Sequence, residues 1–178
     1  MTIGTENETE NAGPVLMIVP CIMAEADSGE WERRRALPKR MGELSEAAFL
    51  HKASTLGFGV AKPWGESERY DFIVWGQAGR MWRVQVKSTS QKHRRGYSIQ
   101  PTCNMSVLGK QEYTGEDIDF LAAHIQPVDV WYVLPIAAFS PAKTLSFYPD
   151  IKSRRARWEQ YRDAWHWLNN NPRQTARK

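Results

Sequence analysis

Cysteine is scarce. Cys21 and Cys103 are the only two in 178 residues, and neither has a CxxC spacing or a histidine nearby, so no disulfide framework or zinc site is indicated. A reduced, cytoplasmic setting is the expectation. Long apolar runs are missing too. Val15–Met23 is interrupted by Pro20, falls short of the roughly 20 residues a membrane helix needs, and lacks the basic start of a signal peptide; no membrane association is expected. Internal repeats and heptads are absent, which excludes solenoids and coiled coils. Residues 1–30 contain no Lys or Arg, only six acids: Glu6, Glu8, Glu10, Glu25, Asp27 and Glu30.

What is present is an ordinary soluble composition, 42% hydrophobic and 25% charged, with a net charge of +4. Residues 152–178 hold eight bases against Glu159 and Asp163. The part expected to fold is therefore basic, as suits a polyanionic partner. The spacing predicts an acidic, disordered tail over 1–36, in which Met17 and Met23 leave room for a misplaced start. A single domain follows over 37–170, then a basic tail over 171–178.

Two alternating runs stand out, Tyr70–Trp75 and Met81–Lys87, joined by Gly76-Gln77-Ala78-Gly79-Arg80. Both are rich in β-branched and aromatic residues, and the connection has the length and glycines of a hairpin turn. If Trp75 faces Met81, antiparallel pairing sets Asp71 opposite Gln85, and Lys87 shares their face. Opposed side chains have Cβ atoms about 4.5–5.5 Å apart, close enough to share one metal ion. The other face, Phe72, Val74, Val84 and Val86, is apolar.

Upstream, Pro38–Leu56 has helical periodicity, with Pro38 in a first turn and Gly57 as the stop. Gly42, Glu46, Phe49, Leu50 and Ala53 fall on one stripe, which places Glu46 in the middle of an apolar face, where a carboxylate needs a partner. Glu43 sits at the stripe's edge. A short strand is expected at Phe58–Ala61 and a turn at Pro63–Gly65. After Lys87 comes a polar and basic loop with Lys92, His93, Arg94 and Arg95, then a strand at Tyr97–Cys103 and an irregular stretch over Asn104–Gly115. Ile118–Ile125 and Val130–Ile136 read as strands buried on both faces, with a helix as the alternative for the first. A weak strand at Thr144–Tyr148 precedes a helix from Ser153 to Leu168, whose Trp158, Tyr161, Trp165 and Leu168 recur as a core-facing stripe. None of the four histidines has ligand spacing; each is expected to be structural or solvated.

The order of these features resembles the PD-(D/E)XK nuclease superfamily, and within it the branch of group I intron-associated homing endonucleases, near the archaeal Holliday junction resolvases. Gly42-Glu-Leu-Ser-Glu46, Gly57-Phe-Gly-Val60, Tyr70-Asp71, Val84-Gln-Val-Lys-Ser-Thr89 and Val130-Trp-Tyr-Val-Leu-Pro135 carry the resemblance, over about residues 40–150. It implies an α/β (α+β) fold with a restriction-endonuclease-like core: an N-terminal helix on a mixed central sheet, with a C-terminal helix. It implies a catalytic set of Glu46, Asp71, Gln85 and Lys87. Mg²⁺, for which Mn²⁺ can substitute, would be held by Asp71, the Gln85 side-chain oxygen, the Val86 carbonyl and Glu46. The implied reaction is hydrolysis of a DNA phosphodiester by water. Ser88, Thr89, Lys92, Arg94 and Arg95 would contact DNA, and cutting both strands implies at least a homodimer. Gln85 departs from the usual Asp or Glu and removes one negative charge from the metal site, although the branch accommodates Gln. Two alternatives stand beside this reading: a nuclease-fold protein that binds DNA without cutting it, and an interaction module with no nucleic-acid role.

Overall fold

The computed structural model describes residues 29–65, 67–105, 109–151 and 156–169, with side chains from Leu37 onward except Met105. The tail expectations for residues 1–28 and 171–178 lie outside the described residues. Residues 29–36, expected within the N-terminal tail, belong instead to the first helix, α1, which spans Gly29–Thr55. Pro38 therefore lies inside the helix and not at its first turn. The stop falls where the sequence places it. Gly57 takes a left-handed φ of 84°, its N–H donates to Ser54 O, and the Phe58 N–H reaches back to Ala53 O. This paired closure strongly favours glycine, which carries no Cβ to oppose a positive φ.

Strands β1 (Gly59–Ala61), β2 (Phe72–Trp75), β3 (Met81–Thr89), β8 (Phe120–Ile125) and β9 (Val130–Pro135) form a mixed sheet in the order β1-β2-β3-β8-β9. The four strands between β3 and β8 are β4 (Lys92–His93), β5 (Gly96–Ile99), β6 (Thr102–Met105) and β7 (Gly109–Glu112). They lie off the main sheet: β4 and β5 join β10 (Leu145–Phe147) in a three-stranded sheet, and β6 pairs with β7. The expected single strand over Tyr97–Cys103 is thus two. Pro101 separates them, since its ring removes the N–H a continuous ladder would use. The stretch expected to be irregular contains β7.

Strand β8 pairs parallel with β3 and antiparallel with β9, and every residue of β8 is buried. The sheet is covered on both faces. On the α1 side, Phe49 packs with Phe72, Val84, Val86, Trp131 and Trp165; on the other, Tyr97, Tyr113, Leu121, Tyr132 and Phe147 form a second core. Among the described residues no helix is long and apolar enough to cross a membrane.

The C-terminal helix expected over Ser153–Leu168 does not form in the described part. Residues 156–169 instead make two short 3₁₀ turns, Glu159–Tyr161 and Trp165–Leu168, separated by Asp163 at a φ of 46°. The reason lies at the sheet edge. The Asp163 N–H donates to Trp131 O at 2.8 Å and Tyr132 bridges Arg162, so this segment covers the open side of β9 and spends its backbone there. Trp158, Trp165 and Leu168 are nonetheless buried in the core, as their spacing implied.

Candidate active site

The β2–β3 hairpin has the expected register: Trp75 pairs with Met81 and Phe72 with Val84. Gly79, at a φ of 69°, closes the turn by donating to Gly76 O. One rung beyond Phe72, Asp71 faces Gln85. Its Oδ2 accepts the Gln85 Nε2–H at 2.6 Å and the Val86 backbone N–H at 2.7 Å. The same Gln85 Nε2 donates to Val86 O at 3.1 Å. The carboxylate of Asp71, the amide of Gln85 and the carbonyl of Val86 therefore meet at one point. Burial is the main influence on Asp71 and pushes its pKa up to about 6; Glu46 adds to this, while the Val86 N–H, Lys87 and Gln85 oppose it.

Lys87 follows on the same face of β3. Burial lowers its pKa, against the attraction of Asp71, Cys103 and Glu46. Its Nζ lies 5.7 Å from the centre of the Tyr113 ring, and among the described residues no ion pair engages it. Glu46 arrives from α1, but not from the middle of the buried stripe. That position belongs to Ser45, which is 1% exposed between Met41 and Phe49, while Leu50 on the expected stripe is 43% exposed. Glu46 lies at the stripe's margin, where Lys62 Nζ donates to its Oε2 at 2.7 Å.

Glu46, Asp71, Gln85, Val86 and Lys87 line one cleft of about 870 Å³, together with Ser88 and Thr89. The basic residues beyond are not part of its wall. Lys92 pairs with Asp150 at 2.6 Å, and Arg94 and Arg95 border a separate hollow of about 320 Å³ with His93 and Tyr148. They occupy the β4–β5 turn, which begins where the cleft lining ends at Gln91.

Two features escaped the sequence reading. One is Lys62, whose position in the chain carries no motif. The other is a polar network behind the cleft. His124 stacks on Trp131 at 4.0 Å between ring centres, with Nδ1 3.2 Å from Ser45 Oγ and Nε2 3.0 Å from Asp129 Oδ1. Gln126 Nε2 donates to Ser45 Oγ at 2.8 Å and to Met41 O at 3.2 Å. This network ties α1 to the end of β8. Burial lowers the His124 pKa against the pull of Asp129, as fits a structural histidine.

One helix on a mixed sheet, with an Asp, an amide and a Lys gathered on its central hairpin, defines a restriction-endonuclease-like α+β protein. The sequence agrees. The chain belongs to the PD-(D/E)XK endonuclease family, whose pattern matches residues 37–168. Its fold is similar to that of a bacterial homing endonuclease, I-Ssp6803I, with a TM-score of 0.65 and 26% identity, covering 79% of this chain and 98% of that one. No curated protein matches the chain significantly. Family and neighbour together make this a nuclease-type protein with DNA as the substrate class.

Proposed function

We propose that the protein is a divalent-metal-dependent DNA endonuclease of homing or junction-resolving type, working as a homodimer or higher homo-oligomer. The observation that carries this reading is the meeting of Asp71 Oδ2, the Gln85 amide and Val86 O inside a cleft that also holds Lys87 and Glu46. Among the described residues no three His, Cys, Asp or Glu side chains form a cluster; the donors the cleft itself offers are two carboxylates, one amide and one peptide carbonyl. These are hard oxygen donors, and Mg²⁺ typically takes one or two carboxylates and completes its shell with water and phosphate. The set fits, with Asp71, Gln85, Val86 and Glu46 as the holders; Mn²⁺ asks for the same donors.

When bound, the metal supplies positive charge to the phosphate and makes water a stronger nucleophile. The chain's own groups do the rest. Gln85 now presents Nε2 to two oxygens, and turning its amide presents Oε1 at the same place. Lys87, held over Tyr113 in a partly desolvated position, directs its ammonium at charge developing on the scissile phosphate. The Glu46 carboxylate orients the attacking water. Ser88 and Thr89 offer hydroxyls to neighbouring phosphates along the cleft wall, and Arg94 and Arg95 extend the positive surface beyond it, where Lys92 would have to exchange Asp150 for a phosphate.

One observation favours the second reading, a nuclease fold that binds DNA without cutting it: Gln85 is a neutral amide that donates its N–H to Asp71 at 2.6 Å, so the hairpin brings one carboxylate and not two to the meeting point. Incubation of plasmid and branched DNA with Mg²⁺ or Mn²⁺ separates the two. Cleavage by the natural protein that falls at least about 100-fold in both Asp71→Ala and Lys87→Ala is the expected result. Cleavage surviving both changes sinks the assigned site; salt-sensitive binding with no cleavage under either metal makes the second reading the correct one.

A further inference from the structure

Lys62 lies just past the end of β1 and does not line the cleft, but it reaches Glu46, which does. Its Nζ donates to Glu46 Oε2 at 2.7 Å and sits 5.8 Å from the centre of the Phe72 ring. Lys62 thus sets an ammonium beside Glu46, which among the described residues is the one carboxylate other than Asp71 lining the cleft. Two carboxylates, Glu46 and Asp71, are balanced by two ammoniums, Lys62 and Lys87, and Gln85 contributes no charge. One divalent ion leaves this group with a surplus sufficient for a phosphodiester and a hydroxide. A second would double that surplus with no further carboxylate to offset it.

We propose that Lys62 restricts the site to a single divalent ion by occupying one of the two carboxylate oxygens of Glu46, Oε2. Glu46 then has only Oε1 to offer the ion held with Asp71, Gln85 and Val86, or its water, and none to spare for a second ion. Lys62 is a positioning residue, since it touches Glu46 and not the cleft. The inference rests on the metal-dependent reading above, and its test is a count, independent of cleavage.

Mn²⁺ bound to the full chain is titrated by the electron paramagnetic resonance signal of the free ion. About one ion is expected in the natural protein, none in Asp71→Ala, about two in Lys62→Met and about one again in Lys62→Met/Glu46→Gln. Lys62 has a side chain 60% exposed, so its replacement leaves the core intact, which circular dichroism checks. A natural protein that binds two ions, or a Lys62→Met variant that still binds one, overturns the role of Lys62 alone. A natural protein that binds no Mn²⁺ overturns the metal-dependent reading and this inference with it.

Discussion

Strand β3 carries an acid–base group at each end, and the two ends are treated in opposite ways. At Arg83 every charge is matched. Its guanidinium meets Asp119 through Nε and Nη2 at 3.2 Å each, donates to Gly115 O at 2.8 Å and to Glu116 O, and its backbone N–H donates to Asp119 Oδ2 at 2.8 Å. Two rungs on, Asp71 is buried with an amide and an N–H as partners, and Lys87 is desolvated over an aromatic ring. The first end is closed by these bonds. At the second, burial raises the pKa of Asp71 to about 6 and lowers that of Lys87, a pairing of opposed shifts common at functional sites.

That contrast can be broken experimentally. The largest stability effect belongs to the closed end: Asp119→Ala removes the carboxylate that accepts from both the guanidinium and the backbone N–H of Arg83 and should lower unfolding free energy by about 3 kcal/mol, measured by urea denaturation, while cleavage by the folded fraction persists. The open end should respond with the reverse sign. Because the folded pKa of Asp71 lies above its ordinary 3.8, the folded state binds the proton more tightly and its ionisation costs stability. The penalty is absent below pH 3.8, grows through the interval to about 6, and is complete above it. Asp71→Asn should therefore stabilise the metal-free protein at pH 7.5 by up to about 3 kcal/mol, the gap closing as pH falls toward 4; equal stability of the two proteins at pH 7.5 would remove the claim that this carboxylate is held under strain. The smallest effect concerns Gln85→Glu, which restores a charge at the meeting point and should tighten Mn²⁺ binding by about tenfold, or about 1.4 kcal/mol. Unchanged affinity by calorimetry would count against Gln85 as a ligand.

How much of this was legible from the residues alone varies with the kind of order involved. The hairpin was, because a glycine-bearing turn and two alternating runs fix the register locally, and the Asp71–Gln85 rung follows from counting. The helix face was only half legible: periodicity gave Phe49 and Ala53, but it could not foresee that buried Ser45 would be satisfied by His124 and Gln126, far along the chain. The helix expected over Ser153–Leu168 failed for the converse reason. Its aromatic spacing suits a helix and equally suits a chain that drops successive rings onto a sheet edge, and the open backbone of β9 decided between them. Lys62 was invisible because a single lysine after a short strand carries meaning only through the carboxylate it meets in space.

The parallel pairing of β3 with β8 has a consequence for the order in which the molecule assembles. Val84 through Thr89 find their partners in Phe120 through Ile125, across a crossover that itself contains four strands. The β2–β3 hairpin, closed by a five-residue connection, is by contrast a local contact. Loop-closure entropy favours the near contact in time. The Asp71–Gln85 half of the site belongs to the early, local part of folding, and the wall contributed by α1 and the end of β8 is completed late. A nascent chain would thus expose no finished cleft until β8 had paired with β3 and brought Gln126 to its wall.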